Sequence, residues 1–177
     1  KPPEYAIMEG KIFYALFRGN YIGPLTVVIR KELIDRHVDF NVMIREGYKT
    51  IDFFIWLEVA YNSSVAYIPD VVGAYRKIKG SISNPEDFDK LIDFTSTTIK
   101  ILDHITNKYK ITELQVLNTK NAINYNMMLM AIHYNSFKRI KQFRQLCQPK
   151  GVIESIRYLM ASNILFIKIG KLLGIYN

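Results

Sequence analysis

The sequence predicts an α+β chain that is predominantly helical. A partial mixed sheet of a few short strands is expected in residues 1–84, followed by an all-helical extension in residues 85–177. Two observations predict this. Three runs rich in β-branched and aromatic residues, at 22–29, 65–68 and 71–75, are bounded by turn or charged residues, as strands are. After Asn84 such runs stop, and apolar residues recur at three- and four-residue spacing as far as about Leu173, as on helix faces.

The elements follow in order. Residues 8–17 are apolar and helix-compatible, and Gly19-Asn20 stops them. Residues 22–29 are predicted as a strand, with Pro24 placing its start at an edge or just outside the ladder. Residues 31–36 allow one short helical turn, and 37–50, polar and containing Gly47, read as a loop. Thr50 is the expected N-cap of the next helix. Asp52 lies in its first turn, where an acid complements the helix dipole. Phe53, Trp56, Leu57 and Ala60 form its inward face, and Asn62-Ser63-Ser64 ends it. Residues 65–68 and 71–75 are short strands around Pro69-Asp70. Three strands and one crossover helix do not make a self-sufficient parallel sheet, so the sheet is expected to be completed elsewhere or by another chain.

In the extension, Pro85-Glu86-Asp87 opens a helix reaching about Lys108. Thr112-Glu113 opens another, with the apolar series Leu114, Leu117, Ile123, Met127, Met130 and Ala131. Residues 137–146 form a short basic amphipathic helix, broken by Pro149-Lys150-Gly151. The rest is helical, with Ile153, Ile156, Leu159, Met160, Ile164, Leu165 and Ile169 available for burial.

Composition bounds the function. About half of the 177 residues are apolar (49%), enough for a core and against disorder. The single cysteine, Cys147, excludes an internal disulfide, fits a reducing compartment and reads as a small buried hydrophobe. Lys1-Pro2-Pro3-Glu4 carries no Met and no leader segment, and is expected to lie inside a longer chain. No run approaches the roughly 18 apolar residues of a membrane span. The net charge of +8 suggests an anionic partner: a nucleotide diphosphate, lipid headgroups or nucleic acid. Lys138, Arg139, Lys141, Arg144 and Lys150 cluster with no acid among them. No recognition motif accompanies them, so nucleic-acid binding is not expected. His37, His104 and His133 are scattered, and no metal site follows from them.

The segment 50–83 carries a resemblance. Asp52 opens an aromatic-rich helix with Trp56 one turn on. Two short apolar runs follow, the second ending in Tyr75-Arg76, and Gly80-Ser81-Ile82-Ser83 closes the segment. Upstream, Arg18-Gly19-Asn20 leads to Arg30-Lys31-Glu32-Leu33. This order resembles the acceptor-side half of family 2 glycosyltransferases of the GT-A type, over roughly residues 16–84. In that family an E-D-x-x-x-W helix precedes a strand pair ending in Y-R-x-H-x-x-S. Ile51 and Ile78 stand where the family has Glu and His.

The resemblance implies the C-terminal part of an inverting enzyme. It would move a sugar from a nucleotide-sugar donor to a glycan or lipid-linked acceptor in cell-surface polysaccharide synthesis. Asp52 would be the base; its other reading is a helix-dipole partner. Trp56 would be an acceptor platform, or simply core. Arg76, with Lys79 and the Ser81 hydroxyl, would steady the donor diphosphate; Ser81 also suits an ordinary turn. A divalent metal, Mg or Mn, would serve the complete enzyme, with its ligands outside this chain and none bound here. Asp87-Phe88-Asp89 spells D-x-D after the Tyr-Arg motif and in a helix's first turn, so it is rejected as that metal site. The implied location is cytoplasmic, with peripheral contact at the inner face of the membrane. The basic tail suits either an anionic membrane surface or a lid packed on the catalytic half. The fragment alone is expected to be inactive, and its open sheet edge could pair with a second copy. The rival reading is a non-catalytic basic helical adaptor for a membrane surface or a protein.

Overall fold

The computed structural model describes residues 9–71, 73, 74, 76 and 87–176. Among them the fold is all helical, which corrects the predicted mixed sheet. The helices are α1 (Phe13–Arg18), α2 (Lys31–His37), α3 (Phe40–Glu46), α4 (Ile51–Asn62), α5 (Phe88–Tyr109), α6 (Glu113–His133), α7 (Phe137–Gln145), α8 (Val152–Met160) and α9 (Ile164–Leu172). The one β pairing among the described residues is an isolated antiparallel bridge between Gly10 and Val65. The first predicted strand is instead a 3-10 turn, Pro24–Thr26, followed by an extended Val27. Val28 beside it is fully exposed. A strand must pair its backbone N–H and C=O groups, and among the described residues these short runs make no pairing beyond the single bridge at Val65. The predicted run 71–75 lies partly outside the described residues.

The loop expected at 37–50 contains α3. Asp39 caps it, accepting from Asn41 N at 2.9 Å, and Gly47 ends it in the left-handed conformation at φ 63°.

The chain forms two compact units, Lys1–Thr112 and Glu113–Asn177, with α5 in the first. In the first unit α4 is central and packs against α1, α2 and α5. Phe53, Phe54, Leu57, Val59 and Ala60 are all buried, so α4 is sequestered on most of its surface. Ile12, Leu16 and Phe17 meet it from the α1 end of the core, and Ile101, Leu102 and Ile105 come from α5. An aromatic cluster joins these elements: Tyr61 stacks on Tyr109 at 3.6 Å, and Phe13 meets the Tyr61 ring edge-on at 4.9 Å. Lys49, just before α4, pairs with Asp93 of α5.

In the second unit α6 and α7 form a hairpin whose turn uses Asn135 at φ 56°. Met127, Met128, Ala131 and Ile132 are buried, but Leu114 and Leu117, at the start of the predicted apolar series, are exposed. The helix expected after Gly151 is two helices, α8 and α9, folded back on each other. Gly170 sits at a close approach: a Cβ there would come within 2.6 Å of the Tyr176 ring and 3.1 Å of the Met160 methyl.

Cys147 is buried, as expected from sequence. Burial pushes its thiol up to about 11. A folded value raised above the ordinary thiol range adds stability below the unfolded pKa, and that stability fades as pH rises through the folded one. A thiol-specific disulfide reagent at pH 8 is therefore expected to react very slowly with the native chain and at once after unfolding in urea. Equal rates in the two states would show an accessible thiolate instead.

Candidate functional site

Two polar constellations lie on α4. The first is at its N-terminal end. Thr50 occupies the N-cap position, as predicted, but its side chain makes no capping bond, and its buried Oγ1 has no hydrogen-bond partner. Asp52, in the first turn, is half-buried. Its Oδ2 accepts from Asn20 Nδ2 at 3.2 Å. Trp56 lies one turn on, also half-buried, and its indole N–H donates to the Ile22 carbonyl at 3.3 Å. Residues four apart share a helix face, with Cβ atoms about 5–6 Å apart. One loop after α1 therefore holds both predicted residues, and α4 presents a carboxylate beside an aromatic face. That pairing can accept a proton from a hydroxyl and stack against the apolar face of a sugar ring.

Arg76 is exposed in the segment after α4. Lys79 and Ser81, the other two diphosphate candidates, lie outside the described residues, as do Ile78 and Ser83. Asp87 accepts from Asp89 N at 2.7 Å as the N-cap of α5, so the D-x-D acids serve the helix terminus. Among the described residues no three His, Cys, Asp or Glu side chains converge to hold a metal ion. These residues do not fit a divalent metal site.

The second constellation was not foreseen from the sequence. Glu58, on α4, has no solvent exposure. Its Oε2 accepts from Lys108 Nζ at 2.7 Å and from the Tyr109 hydroxyl at 2.5 Å. Asn62 Nδ2 donates to the Tyr109 oxygen at 2.9 Å, and Lys108 also donates to the His37 carbonyl at 3.3 Å. Glu58 Oε1 is buried without a hydrogen-bond partner, and His104 Nε2 is 4.0 Å from it. Burial, and then the hydrogen bond to the Glu58 carboxylate, push the Tyr109 hydroxyl far above the ordinary tyrosine range. A carboxylate sealed from solvent cannot meet a substrate. The geometry makes this cluster a brace that ties α4 to the C-terminal end of α5. The available signal was a lone acid between Leu57 and Val59 on an apolar helix, which requires a cation from elsewhere in the chain.

Comparison with protein-family models, with curated proteins and with solved structures finds no match for this chain. Among the described residues no helix is long and apolar enough to cross a membrane.

Proposed function

We propose that this chain carries the acceptor-side part of an inverting glycosyl transfer from a nucleotide sugar to a glycan or lipid-linked acceptor. The reading rests on the face of α4 and not on a sheet. The observation that carries it is the tethering of Asp52 and Trp56 to the same loop, through Asn20 and Ile22. The Asp52 carboxylate takes the proton of the acceptor hydroxyl as that oxygen bonds to the anomeric carbon. The bond from this carbon to the donor diphosphate breaks, and its electron pair leaves with the nucleoside diphosphate. Trp56 packs against the acceptor ring. Arg76, with Lys79 and Ser81, balances the charge that grows on the leaving diphosphate. The rest of the donor surface is contributed from outside the described residues.

Trp56 is the only tryptophan in the sequence, so its emission reports this site alone. Titration with an oligosaccharide acceptor, or with its polyprenyl-phosphate-linked form, is expected to shift that emission saturably. Nucleotide alone is expected to leave it unchanged. Flat emission across the millimolar range with every acceptor class would remove the acceptor role and favour a non-catalytic adaptor.

A further inference from the structure

We propose that the α8–α9 hairpin docks on an anionic lipid surface, with its apolar face in the headgroup–acyl boundary. The ground is an inverted amphipathic helix. Ile153, Ile156 and Leu159 recur along one side of α8, the pattern of a core-facing stripe, yet all three are exposed and α8 has no buried residue. Its polar side faces the protein instead. Arg157 Nε donates to the Ile175 carbonyl at 2.6 Å, and the Tyr158 hydroxyl donates to the Arg144 carbonyl at 3.2 Å. The Arg144 guanidinium lies over the Tyr158 ring at 4.4 Å. The next helix repeats the arrangement. α9 buries only Ile167 and Gly170 and leaves Leu165, Phe166 and Leu172 exposed, Leu172 at 87%. This correction to the sequence expectation, which had the stripe available for burial, leaves a broad apolar surface in water.

Charge selects the occupant. Residues 113–177 carry nine lysines and arginines against two acids, whereas residues 1–112 carry fifteen against fourteen. Nearly all of the net charge thus belongs to the unit with the apolar surface. A second copy would bring the same positive charge to the contact. Lys168 lies on α9 between Leu165 and Leu172, three residues after one and four before the other, and is exposed. In a protein interface that ammonium would have to be desolvated. At a bilayer its stem lies along the apolar face while its head reaches lipid phosphates. Exposed Lys138 and Lys141 on α7 add to the basic surface. Nucleic acid would use the charge but not the aliphatic face.

The test is co-sedimentation of the full 177-residue chain with vesicles of phosphatidylcholine alone or mixed with phosphatidylserine. Binding is expected to the mixed vesicles, weakening about tenfold or more as salt rises from about 0.1 to 0.5 M. The doubly substituted Leu165→Ser/Leu172→Ser chain should keep its helical circular dichroism, because both side chains are exposed, and lose binding by about tenfold or more. Lys138→Glu/Lys141→Glu should remove the preference for phosphatidylserine. Three results would overturn the proposal: no pelleting with either vesicle, wild-type binding by the leucine variant, or a wild-type dimer in sedimentation that the leucine variant dissociates. The last would assign the face to a second copy.

Discussion

Replacing Lys108 by methionine is expected to destabilise the first unit by about 3 kcal/mol in urea denaturation. Breaking a buried ion pair from one side costs roughly 3–5 kcal/mol, because the remaining charge is left in a poorly solvated place. Glu58 is fully buried, while the Lys108 side chain is 40% exposed. The Tyr109 hydroxyl stays as one donor to the carboxylate, which places the loss at the lower end of that range. The double variant Glu58→Met/Lys108→Met removes both charges and should recover most of the loss, since apolar replacement of a whole buried pair is often neutral. A change within about 0.5 kcal/mol for Lys108→Met would instead place the pair among ordinary surface ion pairs. In that case α4 and α5 are held by packing and by the Tyr109 hydrogen bonds to Glu58 and Asn62.

The second large effect concerns the proposed base. In the proposed glycosyl transfer, Asp52→Asn should lower kcat by about 10²–10⁴, the usual contribution of a positioned general base, and leave the acceptor KM nearly unchanged. The same substitution should cost the fold little. An acid in a helix's first turn is worth about 0.3–1 kcal/mol, and asparagine keeps the size of the side chain facing Asn20. The structural and catalytic readings therefore separate cleanly. If Asp52 only complements the helix dipole, the thermal midpoint moves slightly and turnover does not change. A full rate for the asparagine variant would sink the catalytic assignment.

Several helices were legible because their signals are local. Asp87 opens α5 and accepts from Asp89 N, in the turn where the sequence places a helix start. α4 ends at Asn62, where the Asn-Ser-Ser stretch predicts it. Capping and periodicity act within one or two turns, so neighbouring residues suffice to read them. The signals for α3 were also local and were outweighed by the polarity of the stretch: Asp39 stands at one end as a cap and Gly47 at the other. The strand reading failed for a different reason. Short β-branched runs cannot be told from extended coil without knowing whether a partner strand exists, and among the described residues 22–29 pair with none. At the candidate site, the shared face of Asp52 and Trp56 follows from their spacing, but the loop that holds them does not.

By itself, the sequence determined where α2, α4, α5 and α7 begin and end to within a few residues, that Asp52 and Trp56 share one side of α4, and that Cys147 is buried. Only the tertiary structure decided that the described β-branched runs form no ladder beyond the bridge at Val65. It also decided that Glu58 meets Lys108, fifty residues further on, and that the apolar stripe of α8 faces outward. The physical division is one of range. Caps and helix faces are set by residues within a turn or two, whereas the partner of a buried charge and the side of a helix that meets the core depend on segments distant in the chain.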